Sequence, residues 1–583
     1  MLSTGRSSNG SATTLDNALS ILIIGGYGTF GGRIVDLLAD EPRLTLLVAG
    51  RKIAAAQAFC RTRVARATLV PVAFDRGDTL APLLDMLKPG LVIDASGPFQ
   101  SYGAAPYRVI EACIAHGVCY LDLADGAQFV AGVGAYDSAA RAKGVYVLTG
   151  VSSFPVLTAA VVRHLTRDFS RLDSILGGIA PSPFAGVGLN VIRAIAGYAG
   201  QPVPLRRNGQ AAIGHPLTEH RRVIIAPPGR VPLYSTLFSL VDVPDLRALA
   251  DLWPEARDIW MGVGPTPEVL HRALSGLAWL VRLRLLPSLA PLAPLMHVAT
   301  RRLRWGEHRG GMFVEVRGAD AAGKALQRSW HMIAEGDDGP LIPSMAVEAL
   351  VRRALNGQPP QPGARAAARE LELGDYQALF ANRAIHSGAR DDRPDRRATL
   401  YARMLGECLA ELPPTVRAMH AVNGTANASG RASVERGRSP LARLVAAAIG
   451  FPRAVADVAV TVRFEAADGI ETWTRTFGTQ SFVSRQFAGQ GRSQHLLCER
   501  FGPLTFAMAV VVADGKLSLL QRRWSAFGVP LPLWLGPKAV AFETEQDGKF
   551  RFHVEIGHKL TGLIVRYRGW LVAETKTVTS QNP

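Results

Sequence analysis

The sequence predicts an α/β chain in three parts: a doubly wound parallel sheet, an α+β domain, and a mostly antiparallel β C-terminal domain. Three observations carry that reading. Apolar runs of strand length alternate with helical periodicity over residues 18–150. Helical patterns and isolated extended runs mix over 151–380. From residue 416 onward strand-like runs follow one another, several joined by Asp-Gly pairs.

The first domain opens on Ile21-Leu22-Ile23-Ile24, four aliphatic residues in a row, as in a strand buried on both faces. Gly26, Gly28 and Gly31 follow on G-x-G-x-x-G spacing, with Tyr27, Thr29 and Phe30 between them. Ile34, Val35, Leu37 and Leu38 then repeat with helical period. Strand, glycine turn and helix N-terminus form a phosphate cradle. Gly26 permits the turn, Gly28 lets backbone approach a pyrophosphate, and Gly31 lets helix and strand sit close. Further strands are expected at Leu44–Ala49, Thr68–Ala73, Leu91–Asp94, Val118–Leu121 and Val145–Leu148. Helices are expected at Phe30–Asp40, Ile53–Arg61, Thr79–Leu87, Ala104–His116 and Phe129–Lys143. This alternation is a Rossmann-type doubly wound sheet, with its ligand at the carboxyl ends of the strands.

Those strand ends carry the candidate site. The second strand ends Gly50-Arg51-Lys52, with Arg51 twenty residues beyond Gly31. An acidic residue there would hold a ribose 2′-hydroxyl. A guanidinium grips a 2′-phosphate instead, so the expected cofactor is NADP. Asp75, after the third strand, either touches the adenine edge or caps the following turn. Ser96, Gly97, Pro98 and Phe99, after the fourth, are small or turn-forming and leave room for the cofactor. Hydride transfer belongs to the nicotinamide, and a carbonyl or imine substrate adds a need for an acid or base. The candidates are Tyr102, Asp122, Asp125 and Ser153.

Several segments then carry a family likeness. GGYGTFGG, AGR, DASGPFQSYG, ACIAHGVCYLDLADG and GVSSFP occur in that order. Together they resemble the NADP-binding module of the saccharopine dehydrogenase superfamily, in particular its saccharopine dehydrogenase-like oxidoreductase branch. The resemblance implies NADP held by Gly26, Gly28, Gly31, Arg51 and the Ser96–Phe99 loop. It continues more thinly to about residue 380 and carries no catalytic residue onto that region. There it implies an α+β substrate or dimerisation domain over the cofactor cleft.

In the middle region Val156–Leu165, Gly186–Ala199 and Met345–Leu355 read as helices. Arg222–Ala226 reads as extended, and Met312–Arg317 and Ser329–Ala334 as a hairpin around Asp320–Lys324. The stretch Leu274–Leu303 is strongly apolar. Its uncharged run, Leu285–Thr300, is 16 residues long and contains Pro287, Pro291 and Pro294. That is short of a membrane span of roughly 20 residues, and the prolines would break a helix. Two readings stay open: an interfacial segment whose Arg301, Arg302 and Arg304 meet anionic lipid, or a buried hairpin or homodimer contact.

Residues 381–415 are rich in Pro, Gly and charge and read as a linker. Over 416–573, about eleven strand-like runs, from Ala418–Val422 to Leu563–Leu571, surround a single helical pattern at Leu441–Ile449. Such an arrangement predicts a curved sheet or barrel with a cavity. Segments including LPPTVRAMH, ERFGPLTF and GLIVRYRGWL resemble a C-terminal domain of unknown function appended to bacterial saccharopine dehydrogenase-like proteins. Arg431, Arg436, Arg443, Arg463, Arg475, Arg485 and Arg566 either line an anion-binding cavity or form a solvated face.

Composition bounds the rest. The chain has 583 residues and a net charge of +17, with its basic residues spread throughout. No basic run is interleaved with stacking aromatics, which argues against nucleic acid. Five cysteines with no C-x-x-C fit a reducing, cytoplasmic setting, and a contact of Leu274–Leu303 with lipid would add the inner face of the membrane. Residues 1–17 and 574–583 read as tails. The sequence carries no H-E-x-x-H and no G-x-S-x-G, so metal and hydrolase chemistry are not indicated. The expected activity is an NADP-dependent oxidoreductase acting on a small, hydrophobic molecule. The alternatives are a non-catalytic NADP-sensing scaffold and a lipid-binding protein with a vestigial nucleotide domain.

Overall fold

The apolar run that opens the chain becomes strand β1 (Leu19–Ile24), whose last four residues are fully buried. A computed structural model describes residues 18–393 and 397–574. The expected tail 1–17 and nearly all of 574–583 lie outside the described residues. Around β1 the chain builds β2 (Leu44–Gly50), β3 (Thr68–Ala73), β4 (Leu91–Asp94), β5 (Cys119–Asp122) and β6 (Tyr146–Thr149). All pair in parallel, in the order β6-β5-β4-β1-β2-β3. The order reverses between β1 and β4, and that switch point is where such sheets bind ligands. A seventh strand, Gly363–Ala366, adds beside β6 from far along the chain. Asp137 fixes it by accepting a 2.9 Å hydrogen bond from the Ala364 amide.

Helices α1 (Thr29–Leu38), α2 (Ile53–Arg61), α3 (Ala81–Leu87) and α4 (Arg108–Ala115) cover the sheet. The expected single helix Phe129–Lys143 is broken into Ala127–Gly132, a 3₁₀ turn at Val133–Tyr136, and Asp137–Ala142. The Tyr107 hydroxyl occupies the space a Gly132 side chain would take.

The second sheet has seven strands and mixed pairing. Its order is His220–Val223, Thr236–Leu240, Asp258–Val263, Arg171–Ala180, Arg309–Ala319, Ala325–Glu335 and Ile385–Asp391. The last strand lies in the expected linker, so this domain runs on to residue 391. Helix Ile342–Leu355 packs against α1, and one hydrophobic core runs continuously through both domains. Arg352 donates to the Leu37 carbonyl (3.0 Å) and to Asp40 (2.8 Å), tying that helix to the end of α1.

Residues 425–573 form ten antiparallel strands in a closed barrel, with Val529–Leu531 appended to one of them. The expected first run, Ala418–Val422, is not a strand. Pro414 opens a helix at Pro414–Met419, because its fixed φ suits a first helical turn. Closure brings Thr425–Arg436 against Gly562–Ala573. A Cβ on Gly430 would sit 1.9 Å from the Trp570 carbonyl oxygen, so this seam closes only on glycine. Of the seven arginines, six face outward or bond the rim. Arg431 pairs with Asp457, Arg463 with Glu465, and Arg566 with Glu435 and Glu555. Arg436 holds the Pro452 carbonyl, and Arg443 and Arg485 are exposed. Arg475 alone points inward.

Among the described residues no helix is long and apolar enough to cross a membrane. Leu274–Leu303 instead folds as the end of helix Glu268–Arg282, a 3₁₀ turn at Ala290–Leu292, and helix Ala293–Arg302. Leu289 and Ala293 are buried against Ile192 and Ala196, while Leu283, Leu285, Leu295 and Val298 stay exposed.

Replacing Gly430 by Val should destabilise the barrel by about 3 kcal/mol through forced overpacking at the seam. Chemical denaturation followed by tryptophan fluorescence would show it as an earlier barrel transition.

Candidate functional site

Backbone geometry at the first turn comes first. Gly25 has φ +75°, and a Cβ there would lie 3.0 Å from the Ala95 oxygen. A Cβ on Gly31 would lie 2.2 Å from the Gly25 oxygen. The turn therefore closes with backbone against backbone, and α1 begins directly over the end of β1. Its first turn has no side-chain cap and no acidic residue. Its leading N–H groups are thus open to an anion. Thr29 is exposed, Phe30 is half-buried, and Gly28 lies at the N-cap.

Tyr27 covers the end of β2. Its ring stands where a Gly50 side chain would be, and its hydroxyl accepts the Lys52 amide proton at 3.0 Å. This leaves Arg51 exposed beside the turn, with no hydrogen bond or ion pair among the described residues. Asp75 is committed locally: it accepts from the Gly77 amide at 2.9 Å, which is the turn-capping alternative.

The loop after β4 is held by a chain of hydrogen bonds. Asp94 is fully buried and forms a 2.9 Å ion pair with Arg76. It also accepts from the Ser96 amide (3.0 Å) and from Ser96 Oγ (2.5 Å). Because Ser96 spends its proton on Asp94, the Tyr102 hydroxyl, 2.9 Å from Ser96 Oγ, must be the donor in that contact. The Arg76 guanidinium lies 3.2 Å from the centre of the Tyr102 ring. Burial, and then the Asp94 charge, push the Tyr102 pKa far up. Tyr102 thus keeps its proton and braces the loop. Phe99 is buried beside Tyr102 and Phe129, and Pro98 is half-buried. Asn190, on helix Leu189–Tyr198 of the second domain, donates to the Gly97 carbonyl at 2.8 Å.

The remaining acid–base candidates separate cleanly. Asp122 is fully buried and does not reach the cleft. One oxygen accepts from the Ala124 and Gly150 amides (2.9 and 2.8 Å), tying the ends of β5 and β6 together. Its other oxygen has no partner, and burial raises its pKa to about 7. Ser153 is buried at the start of the helical turn Ser153–Leu157. Asp125 is half-buried and takes a 3.0 Å hydrogen bond from Gln100. Burial raises its pKa. Two second-domain residues feel its charge: Tyr198, whose pKa burial and then the Asp125 charge push up, and Asp242, whose pKa burial raises against the pull of Arg247. Asp125, Asp242 and Tyr198 therefore gather where the two domains meet.

Residues 21–148 match the family model described as the saccharopine dehydrogenase NADP binding domain. The N-terminal parallel sheet with its glycine turn is the part of the chain that this model describes. Residues 412–571, the barrel with its leading helix, match a domain of unknown function, DUF4166. No curated protein matches the chain. Among solved structures, the chain is similar to a saccharopine dehydrogenase (L-Glu forming) from Saccharomyces cerevisiae. The two are 13% identical over 64% of this chain and 99% of the yeast chain, with a TM-score of 0.45. It is also similar to a meso-DAPDH mutant with DAP from Clostridium tetani, 11% identical over 62% and 99% of the chains, with a TM-score of 0.31. A third, the WlbA dehydrogenase from Thermus thermophilus in complex with NAD, is 11% identical over 59% and 90%, with a TM-score of 0.27.

The sequence did not flag Gly25 or Arg76 in the first domain, nor Asn190, Asp242 and Tyr198 in the second. The doubled glycine before the motif marked Gly25. The others carry no local signal, since they meet the site only through tertiary structure.

The raised pKa of Asp122 sets a pH dependence. The folded state holds its proton to about pH 7, whereas the unfolded chain releases it near 3.8. Stability from this group is therefore full below pH 3.8 and falls as pH rises toward 7, by roughly 4 kcal/mol. Asp122→Asn keeps an acceptor for both amides and should flatten that fall, read as the difference between wild-type and variant denaturation midpoints at pH 5 and pH 8.

Proposed function

We propose that the protein is an NADP-dependent oxidoreductase of the saccharopine dehydrogenase-like type, acting on a hydrophobic small molecule. The observation that carries this is the glycine turn, where a Gly31 side chain is forbidden and uncapped N–H groups stand beside a free Arg51. In this reading the first-turn amides of α1 hold the pyrophosphate and Arg51 takes the 2′-phosphate. Ser96, Gly97, Pro98 and Phe99 border the nicotinamide, which supplies or accepts the hydride when bound. Arg76, Asp94 and Tyr102 keep that loop rigid, and Asn190 holds it from the second domain. Asp125 is our candidate for the group that holds a proton for substrate, with Asp242 and Tyr198 keeping its surroundings poorly solvated.

NADPH fluorescence titration tests the cofactor assignment. Wild type should prefer NADPH to NADH, and Arg51→Ala should weaken NADPH binding by about tenfold or more while leaving NADH unchanged. Equal affinity for both in wild type would overturn the Arg51 assignment. Asp125→Asn should lower kcat by about a hundredfold or more with NADPH affinity retained.

The exposed Leu283, Leu285, Leu295 and Val298, beside Arg282, Arg284, Arg301 and Arg302, support peripheral contact with an anionic membrane. Flotation with phosphatidylserine vesicles should show association at low salt that high salt removes.

A further inference from the structure

The barrel of the C-terminal domain is not filled by its own side chains. It encloses a cavity of about 410 Å³, within the range of small-molecule sites. Val445, Phe506, Met508, Leu519, Val554 and Ile564 supply much of the apolar wall. Leu441, Leu535 and Leu560 also line it, yet they are 46%, 44% and 81% exposed. They mark the mouth. Trp534, next to Leu535 in sequence, and Leu444, one helical turn after Leu441, are exposed as well. Large apolar side chains held in water around an apolar cavity indicate a route for an apolar molecule.

The polar groups of the cavity define what its head must be. Arg475 forms a 3.2 Å ion pair with Glu499. Ser484 bridges the two, accepting from Arg475 and donating to Glu499 at 2.7 Å each. Glu543 is hydrogen-bonded to the buried His420 at 2.5 Å, and Gln486 accepts from Tyr401 at 3.0 Å. The arginine that faces inward is thus already paired, and an entering carboxylate would meet the carboxylates of Glu499 and Glu543. His553 and His558 also line the cavity; burial lowers the His553 pKa, and His558 Nδ1 accepts from the Leu560 amide. Gln521 differs. It lines the cavity, both atoms of its amide are shielded from solvent, and neither has a partner. Leaving a donor and an acceptor buried and unpaired is costly, and a ligand that satisfies both removes that cost. A hydroxyl does so, because it donates and accepts at one atom.

We propose that the barrel is a binding site for a long, uncharged apolar molecule with a single hydroxyl head, the head meeting Gln521 and the chain running toward Leu441 and Leu560. This site is separate from the nucleotide cleft and does not rest on the reading given for it.

The test uses the full chain and a pyrene-labelled hexadecanol, competed by unlabelled hexadecanol and by palmitate. Saturable one-to-one binding is expected, with hexadecanol displacing the probe at least about tenfold better than palmitate. Gln521→Leu should weaken hexadecanol by about tenfold and leave palmitate unchanged. Val445→Trp and Ala541→Trp each fill the cavity and should abolish probe binding. Circular dichroism and a cooperative barrel denaturation transition identify variants that are folded, and Ala541→Trp replaces Val445→Trp should the latter fail to fold. The proposal is overturned if wild type shows no saturable binding, if the folded cavity-filled variant binds as wild type does, or if palmitate competes as well as hexadecanol.

Discussion

The atom missing from Gly31 governs how the first two domains are assembled. With no Cβ there, α1 rests its first turn on the Gly25 carbonyl, directly above the end of β1. That contact fixes the height and direction of α1 over the sheet. Helix Ile342–Leu355 packs against α1 and shares one continuous core with the second sheet. A side chain at position 31 would displace not only the glycine turn but the helix against which Ile342–Leu355 packs. Close packing transmits such a shift, because a continuous core has no slack to absorb it.

The same assembly explains why the polar residues around the cleft are divided so strictly between holding and exposed roles. Asp94 and Asp122 lie at the buried ends of β4 and β5, and each spends its carboxylate on backbone amides or on Arg76. They convert two strand ends into rigid loops. Asp125, three residues beyond Asp122, clears the sheet and meets the second domain. Polar groups left free of fastening roles at this sheet therefore lie just past the strand ends, while those on the strands serve as fasteners.

How far the sequence reveals this depends on how local each feature is. The glycine motif, β1 to β6 and the Asp-Gly hairpins of the barrel were legible, because period and turn chemistry act over a few residues. The central strand of the second sheet, Arg171–Ala180, was not. Its Gly177-Gly178 pair reads as a turn, yet the glycines are there so that Met261, Phe313 and Phe238 can cross the strand face. Strand Gly363–Ala366 was equally hidden, since only its partner β6 makes it a strand. In the site, Arg51 could be read from its distance to the glycines. Asp122 and Asp125 looked alike in sequence and diverged in burial, and Arg475 could not be told from six outward-facing arginines until the barrel closed.

The central claim is that the first turn of α1 and Arg51 together hold a phosphorylated dinucleotide. A crystal structure of the full chain grown with NADP tests it most directly. The pyrophosphate should lie against the amides of Thr29, Phe30 and Gly31, with the 2′-phosphate within hydrogen-bond reach of the Arg51 guanidinium. A bound NADP whose 2′-phosphate faces away from Arg51, or whose pyrophosphate lies off the glycine turn, would contradict it.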